Sequence, residues 1–455
     1  MKIKHPSFEL IHLGGENQVT GSCHFLRTQS GATLMIDCGM SQGGDPTTPL
    51  SDFPTPIKEI DYLFLTHAHL DHMGRIPELI ENGFNGEIIC THPTKALIAP
   101  MLKDALSFTD MTESQAASCE SKIDELSWGF EYNQTFSLKK GVTFKLKNAG
   151  HILGSCFIRL EMPAESGQRV SILFSGDLGA RDTPILPEPD PPDSSDFLVM
   201  ESTYGDRLHE GRAKRVEALG ALLTKALRDN GKVFIPAFAL GRTQELIFEI
   251  DRLFSDSKFK KKFPELENRA IPVFVDSPLG LKITKIYSSL RDFWNAETKK
   301  IDAAGDHPIN FKGLYAVENY RGHKRLMETP GPAIILAGSG MCSGGRILDH
   351  LEDGLDNEAN DLFFVGYQAR NSLGRKIMDR AGRKNGSVRI QNRRVSIRAH
   401  IHKLSGYSAH ADQSDLARWA RSMPKKPRLI KLVHGETRAR AALKRHLESE
   451  FEISD

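Results

Sequence analysis

The sequence predicts an α/β protein of two domains, one interrupted by the other. Three observations carry this. A chain of 455 residues exceeds what one hydrophobic core usually supports. Short apolar runs ending in polar residues fill the first two hundred positions. Past Glu201 the rhythm becomes helix–strand alternation, and near Val395 the first style returns. Residues 1–204 and 395–455 are therefore assigned to an outer domain and 205–394 to an insertion.

The elements follow in order. The apolar run 33–36 ends in Asp37, 88–90 in Thr91, and 172–174 in Ser175-Gly176-Asp177. Runs of this length bounded by Gly, Asp or Pro read as strands that deliver polar residues to one rim. Residues 75–82 read as a short helix, and 94–128 have helical composition with few breakers. Positions 184–193 hold five prolines, which predicts a surface loop that neither pairs nor coils. Strand 196–200 then leads into Glu201. In the insertion, helix 213–230 precedes strand 233–235, and helix 243–254 precedes strand 271–275. Strands 333–337 and 362–365 follow, an order that predicts a largely parallel sheet. A strand near Val395, the run Ser408-Ala409-His410-Ala411-Asp412, a helix and strand 429–433 complete the chain.

Composition narrows the setting. Net charge is only +2, so bulk electrostatics neither demand nor exclude a nucleic-acid partner. No apolar run approaches the ~20 residues that span a bilayer, so no membrane is expected. Met1-Lys2-Ile3-Lys4-His5-Pro6 has no apolar core after its lysines and does not read as a secretory signal. Six cysteines without a CxxC pair argue against a disulfide framework and a thiolate zinc site, and for a reducing, cytoplasmic location.

The chemistry concentrates in Thr66-His67-Ala68-His69-Leu70-Asp71-His72, directly after the apolar run 62–65. Alternate residues of an extended turn point the same way, so His67 and His69 can reach one ion. Asp71 and His72 can face a second. Imidazole nitrogen and carboxylate oxygen are ligands that zinc accepts. Other strand ends supply the remainder: His151 in a Gly-flanked turn, Asp177 after Ser175-Gly176, and His434 before Gly435. The expected partition is His67, His69 and His151 on one metal, Asp71, His72 and His434 on the other, with Asp177 bridging. Two such ions share a hydroxide, the nucleophile. Asp37 either ligates or accepts a ligand histidine's second N–H. His12, His92, His209 and His402 lack the strand-end context and read as structural or solvated.

These residues, in this order, resemble the metallo-β-lactamase superfamily. Glu201-Ser202-Thr203-Tyr204-Gly205, Ser408-Ala409-His410-Ala411-Asp412 and Val433-His434-Gly435-Glu436 are similar to the further motifs of its β-CASP nucleases. Val19-Thr20-Gly21-Ser22-Cys23, the run 236–245, the run 275–279, the run 340–346 and Gly366-Tyr367-Gln368-Ala369 match a short bacterial branch, from whose usual Gly-Thr Asn371-Ser372 departs. The resemblance covers essentially the whole chain. It implies a metallo-β-lactamase αββα sandwich interrupted by an inserted α/β β-CASP domain, with the active site at the cleft between them.

The implied activity is zinc-dependent hydrolysis of single-stranded RNA, with two Zn²⁺ as cofactors and Mn²⁺ also compatible. Its products are a 3′-hydroxyl and a 5′-phosphate. The catalytic set is Asp37, Asp71, Glu201 and His410, with His410 as general acid oriented by Glu201. Substrate binding is assigned to the insertion. Backbone N–H groups of the Gly-rich run 338–346, around Ser339, Gly340, Ser343 and Arg346, are expected to bind phosphate at a helix start. Arg242 and Arg375 add positioning contacts. Of two basic stretches, 258–262 reads as a solvated helix or loop face, and 380–398, with seven Arg or Lys and no acid, as a track for the RNA backbone or as protection of a sheet edge.

Three rival readings remain, one of them a DNA-processing role, against which the resemblance sets His410. A small-molecule ester or thioester hydrolase of the same fold leaves the insertion and the Glu201/His410 pair unexplained. A non-catalytic RNA-processing scaffold conflicts with a filled ligand set. Endonuclease versus 5′-exonuclease action, and homo-oligomerisation, stay open.

Overall fold

Alternating burial along residues 8–11, and full burial of Thr33–Ile36, show at once which strands lie over a core on one face and which on both. The computed structural model describes residues 2–107, 109–164, 167–268, 271–369 and 371–454. Their contacts divide into two units.

The first unit holds residues 1–181, 186–208 and 409–455. Its first seven-stranded sheet takes its strands in chain order: Lys2–His5, Phe8–Gly14, Cys23–Thr28, Thr33–Ile36, Tyr62–Phe64, Glu87–Thr91 and Ser127–Phe130. The early hairpins are antiparallel and the pairings from Thr33–Ile36 onward are parallel. The second sheet runs Ile453–Ser454, Leu429–Val433, Phe197–Glu201, Arg169–Phe174, Cys156–Pro163, Thr143–Asn148 and Thr135–Ser137. Phe8, Leu26, Ile36 and Phe64 from one sheet pack with Phe144, Ile158, Ile172 and Val199 from the other. Each such side chain stabilises the sandwich by about 1.5–3 kcal/mol through burial. Helices Gln413–Arg421 and Thr437–Leu447 cover the second sheet through Leu416, Trp419, Leu443 and Leu447. Helices His92–Leu106 and Glu113–Leu126 cover the first. The result is an αββα sandwich.

The second unit holds residues 182–185 and 209–408. All five pairings of its six-stranded sheet are parallel, in the order Leu314–Ala316, Val273–Asp276, Ala333–Ala337, Lys232–Pro236, Asp361–Phe364 and His400–Lys403. A separate hairpin pairs Ser387–Ile390 with Arg393–Ser396. Among the described residues, no helix is long and apolar enough to cross a membrane.

Three expectations change. The stretch 94–128 is two helices and a strand, because Thr112 starts a second helix with a capping box to Gln115. The proline run forms no helix or strand, yet Pro184, Ile185 and Leu186 are buried rather than on the surface. The strand expected near Val395 belongs to the hairpin, and His400–Lys403 pairs with Asp361–Phe364 as the last strand of the second unit's sheet. By contacts, residues 209–408 and 182–185 group together.

Candidate metal centre

The site is built at strand ends of the first unit. Strand Tyr62–Phe64 delivers Thr66 and His67, and a short turn of helix, Leu70–Met73, carries Asp71 and His72. A Cβ on Gly39 would lie 1.6 Å from the Asp71 carbonyl oxygen, so only glycine lets these two segments meet. Arg169–Phe174 ends three residues before Asp177, and Leu429–Val433 ends at His434.

All seven residues read as ligands converge. Nδ1 of His69 lies 3.1 Å from Nε2 of His67 and 3.2 Å from Nε2 of His151. Nε2 of His72 lies 3.1 Å from Nε2 of His434, with Asp71 Oδ2 3.7 Å from the latter. Asp177 Oδ2 lies 3.4 Å from His72, 3.6 Å from His67 and 3.7 Å from His151, and its Oδ1 lies 3.6 Å from His434. The carboxylate thus faces both groups of histidines.

This donor set fits metal ions. Asp177 is buried, yet its Oδ1 has no hydrogen-bond partner, a costly arrangement unless a cation stands there. The nitrogen–nitrogen spacings match the ~3.3 Å edge of a tetrahedron with zinc–nitrogen bonds of about 2.0 Å. Burial holds the His67 and His151 imidazoles neutral, with lone pairs for a metal. Burial also opposes a charge on His72, but Asp177 and Asp37 outweigh it and keep its proton on. Nε2 of His72 would give up that proton on holding a metal ion. On Asp177 burial acts upward, and the surrounding histidines, His434 and His72 first, hold the carboxyl well below its usual range.

Asp37 is no ligand. Its Oδ2 accepts from Nδ1 of His72 at 2.7 Å, and its Oδ1 accepts from the Thr66 N–H at 2.8 Å. Its carboxylate is engaged with a histidine of the cradle, the second of the two roles the sequence left open to it. The sequence left its role open because a strand-end carboxylate reaches either way by one rotamer. Two hydroxyls were not singled out: Thr66 Oγ1 sits 3.1 Å from Nδ1 of His67, and Thr203 Oγ1 sits 3.0 Å from Nδ1 of His434. Their places inside or beside the quoted motifs were the available signal.

His410 and Glu201 join the same rim. Residues 178–180 bond to 409–411 through the Ala180 N–H and Ala409 carbonyl at 2.9 Å and the Ala411 N–H and Leu178 carbonyl at 2.7 Å. Nδ1 of His410 lies 3.3 Å from Glu201 Oε1, an oxygen that also accepts from the Leu178 N–H at 2.6 Å.

Comparison with known proteins agrees with this geometry. Residues 17–237 match the model of the metallo-beta-lactamase superfamily, 243–377 that of the Beta-Casp domain, and 394–454 that of the Zn-dependent metallo-hydrolase RNA specificity domain. Ribonuclease TTHA0252 of Thermus thermophilus is 35% identical over 434 residues, 95% of this chain and 94% of that protein. The chain belongs to the β-CASP family of the metallo-β-lactamase superfamily. It is also similar to transcription termination factor FttA of Methanococcus maripaludis, at 29% identity over 93% of this chain and 66% of that one. Cleavage and polyadenylation specificity factor 73 of Drosophila melanogaster is 29% identical over 97% of this chain and 61% of its own length.

Within the β-CASP unit, the residues expected to bind substrate are largely committed elsewhere. Ser339 Oγ accepts the N–H groups of Ser343 and Gly344 at 2.8 and 3.2 Å, so the Gly-rich turn fills its own anion-binding positions. Gly340 seats the Phe238 ring, which a Cβ would meet at 2.7 Å. Arg346 donates to Asp276 Oδ1 at 2.7 Å and to the Val317 carbonyl at 2.8 Å. Arg242 pairs with Glu245 and lies over the Tyr407 ring. Arg375 is exposed, with Nε on Asp379 at 2.9 Å. Ser343 and Arg375 of this set are exposed, Arg242, Ser339 and Arg346 are half-buried, and Gly340 is buried.

A second buried cluster in this unit is Asp276, His323 and His350. Asp276 Oδ2 lies 2.6 and 2.7 Å from the two imidazoles, hydrogen-bond lengths shorter than a coordination edge. With Arg346 on Oδ1 the carboxylate is satisfied, and the cluster reads as a structural anchor.

Proposed function

We propose that the chain is a zinc-dependent ribonuclease with two Zn²⁺, cutting phosphodiester bonds of single-stranded RNA in processing or decay in the cytoplasm. The observation that carries this is a seven-residue cradle with the His410–Glu201 pair on the same rim. A small-molecule hydrolase needs the cradle alone. The printed names of the relatives, a ribonuclease among them, support the same reading.

His67, His69 and His151 would hold one ion and Asp71, His72 and His434 the other, with Asp177 serving both. When bound, the ions supply an activated water and positive charge against the phosphoryl oxygens. The chain's own residues do the rest. Burial alone would lower the His410 pKa, but the charges of Glu201 and then Asp177 raise it to about 9. Glu201, the larger of the two and outside the proposed ligand set, favours the protonated imidazole that a general acid needs. Glu201 orients the ring through Nδ1, and Nε2 carries the proton given to the leaving 3′-oxygen. Cleavage leaves a 3′-hydroxyl and a 5′-phosphate.

The test compares wild type, Asp177→Ala and His410→Ala on circular, 5′-phosphate and 5′-hydroxyl RNAs, with metal analysis of each protein. Asp177→Ala should lose bound metal and cleavage together. His410→Ala should keep its metal and cleave about 10²–10⁴-fold more slowly. Cutting of circles by the wild type would establish endonuclease action, and a strict need for a 5′-phosphate would establish exonuclease action. A metal-loaded wild type that leaves every RNA intact but hydrolyses a thioester would sink the proposal.

A further inference from the structure

The basic stretch 380–398 takes a definite shape that the catalytic site does not use. Strands Ser387–Ile390 and Arg393–Ser396 form an antiparallel hairpin, and Val388, Ile390 and Val395 bury one of its faces in the core of the second unit. The period of two then puts Arg389 and Arg394 on the other face, directly opposite each other. Like charges in that position destabilise a strand pair. A third arginine comes to the same place. Arg380 donates from Nη1 to the Ser387 carbonyl at 2.8 Å, while Arg394 donates from Nε to Ser387 Oγ at 2.9 Å.

Among the described residues, no carboxylate forms an ion pair with Arg380, Arg389 or Arg394. Neighbouring arginines do find one: Arg375 meets Asp379 at 2.9 Å, Arg393 meets Asp353 at 3.8 Å, and Arg398 pairs with Glu358 at 2.5 Å. Arg383 and Lys384, also exposed, lie in the turn between helix Leu373–Arg380 and the hairpin. Protecting a strand edge needs one charge, not two arginines on a single serine with a third directly across the ladder. Their planar donors suit phosphate oxygens.

We propose that the outer face of this hairpin is a binding site for the phosphodiester backbone of single-stranded RNA. The site is sequence-independent and separate from the metal ligands, and the assignment rests on the ribonuclease reading above. Arg380, Arg389 and Arg394 contact phosphates, and an acidic protein is the rival occupant.

The full-length, metal-loaded protein is titrated with a fluorescent 30-nucleotide RNA carrying non-cleavable phosphorothioate linkages, over a range of salt. The Arg380→Gln/Arg389→Gln/Arg394→Gln variant should bind about tenfold more weakly, and its log–log salt slope should fall by about 2, as three lost single-strand contacts require. Arg394→Glu keeps the hairpin by pairing with Arg389. It should hold or raise the unfolding temperature while weakening RNA binding. Unchanged affinity and slope in both variants, with the wild type still cleaving RNA, would overturn the site alone. Equal, salt-sensitive binding of poly-glutamate would overturn the choice of RNA. A wild type that neither binds nor cleaves RNA would count against the ribonuclease reading itself.

Discussion

Asp37 Oδ2 lies 2.7 Å from Nδ1 of His72, and that bond decides which imidazole nitrogen faces the metal. Asp37→Asn keeps the volume but removes the charge that holds the ring. Zinc affinity should fall about 10–100-fold while far-ultraviolet circular dichroism is unchanged, which competition with a chromophoric chelator would measure. Gly39→Ala acts on the same segment by steric means: the new methyl would collide with the Asp71 carbonyl. Metal content and stability should drop together, as metal analysis and thermal scans of the purified variant would show. The ligand types were legible because histidines and acids ended apolar runs. The helpers were not, since Thr66 and Thr203 matter through the rotamer of a neighbouring ring, and a one-dimensional pattern does not carry rotamers.

Two of the strands that end at the site close in a left-handed residue other than glycine: Asp37 has φ of 59° and His434 has φ of 50°. Non-glycine residues pay for this conformation, and such strain gathers at functional sites. Helix Arg242–Ser255 shows a different tension, burying Glu245, Glu249 and Asp251. Burial first, and then the charge of Asp306, push the Asp251 carboxyl up to about 7, against a hydrogen bond from Ser255. Between about pH 4 and 7 the folded chain keeps a proton that the unfolded chain releases, so stability falls as pH climbs through that window. Asp251→Asn should therefore raise the unfolding temperature strongly at pH 8 and clearly less at pH 5, read by calorimetry at both values. Among the elements, Ala333–Ala337 was plain in the sequence as an unbroken apolar run, and Leu429–Val433 as an apolar run interrupted only by Lys431. His400–Lys403 was not, because its His-Ile-His-Lys residues are exposed or half-buried and lack the apolar signature of a central parallel strand.

At the scale of the molecule, the ligands tie distant parts of the chain together, with His72 and His434 362 positions apart. A metal that binds only the folded form adds its binding energy to stability. Chelation should lower the unfolding temperature by roughly 10 °C, and added zinc should restore it, in scans at matched ionic strength. The order of the two units was readable because strand style changed twice along the chain. The phosphate contacts were not, since a Gly-rich turn looks the same whether its N–H groups face solvent or, as here, are taken by Ser339.

The placement of His410 and His434 late in the chain also bears on synthesis. Proteins are made from the N-terminus, so a growing chain that already carries Thr66–His72 and Asp177 still lacks the proposed acid and the last of the proposed ligands. Until those residues emerge from the ribosome and Leu429–Val433 slots beside Phe197–Glu201, the nascent polypeptide is unarmed. On the proposed reading, the messenger being translated is not cut by the chain still growing from it.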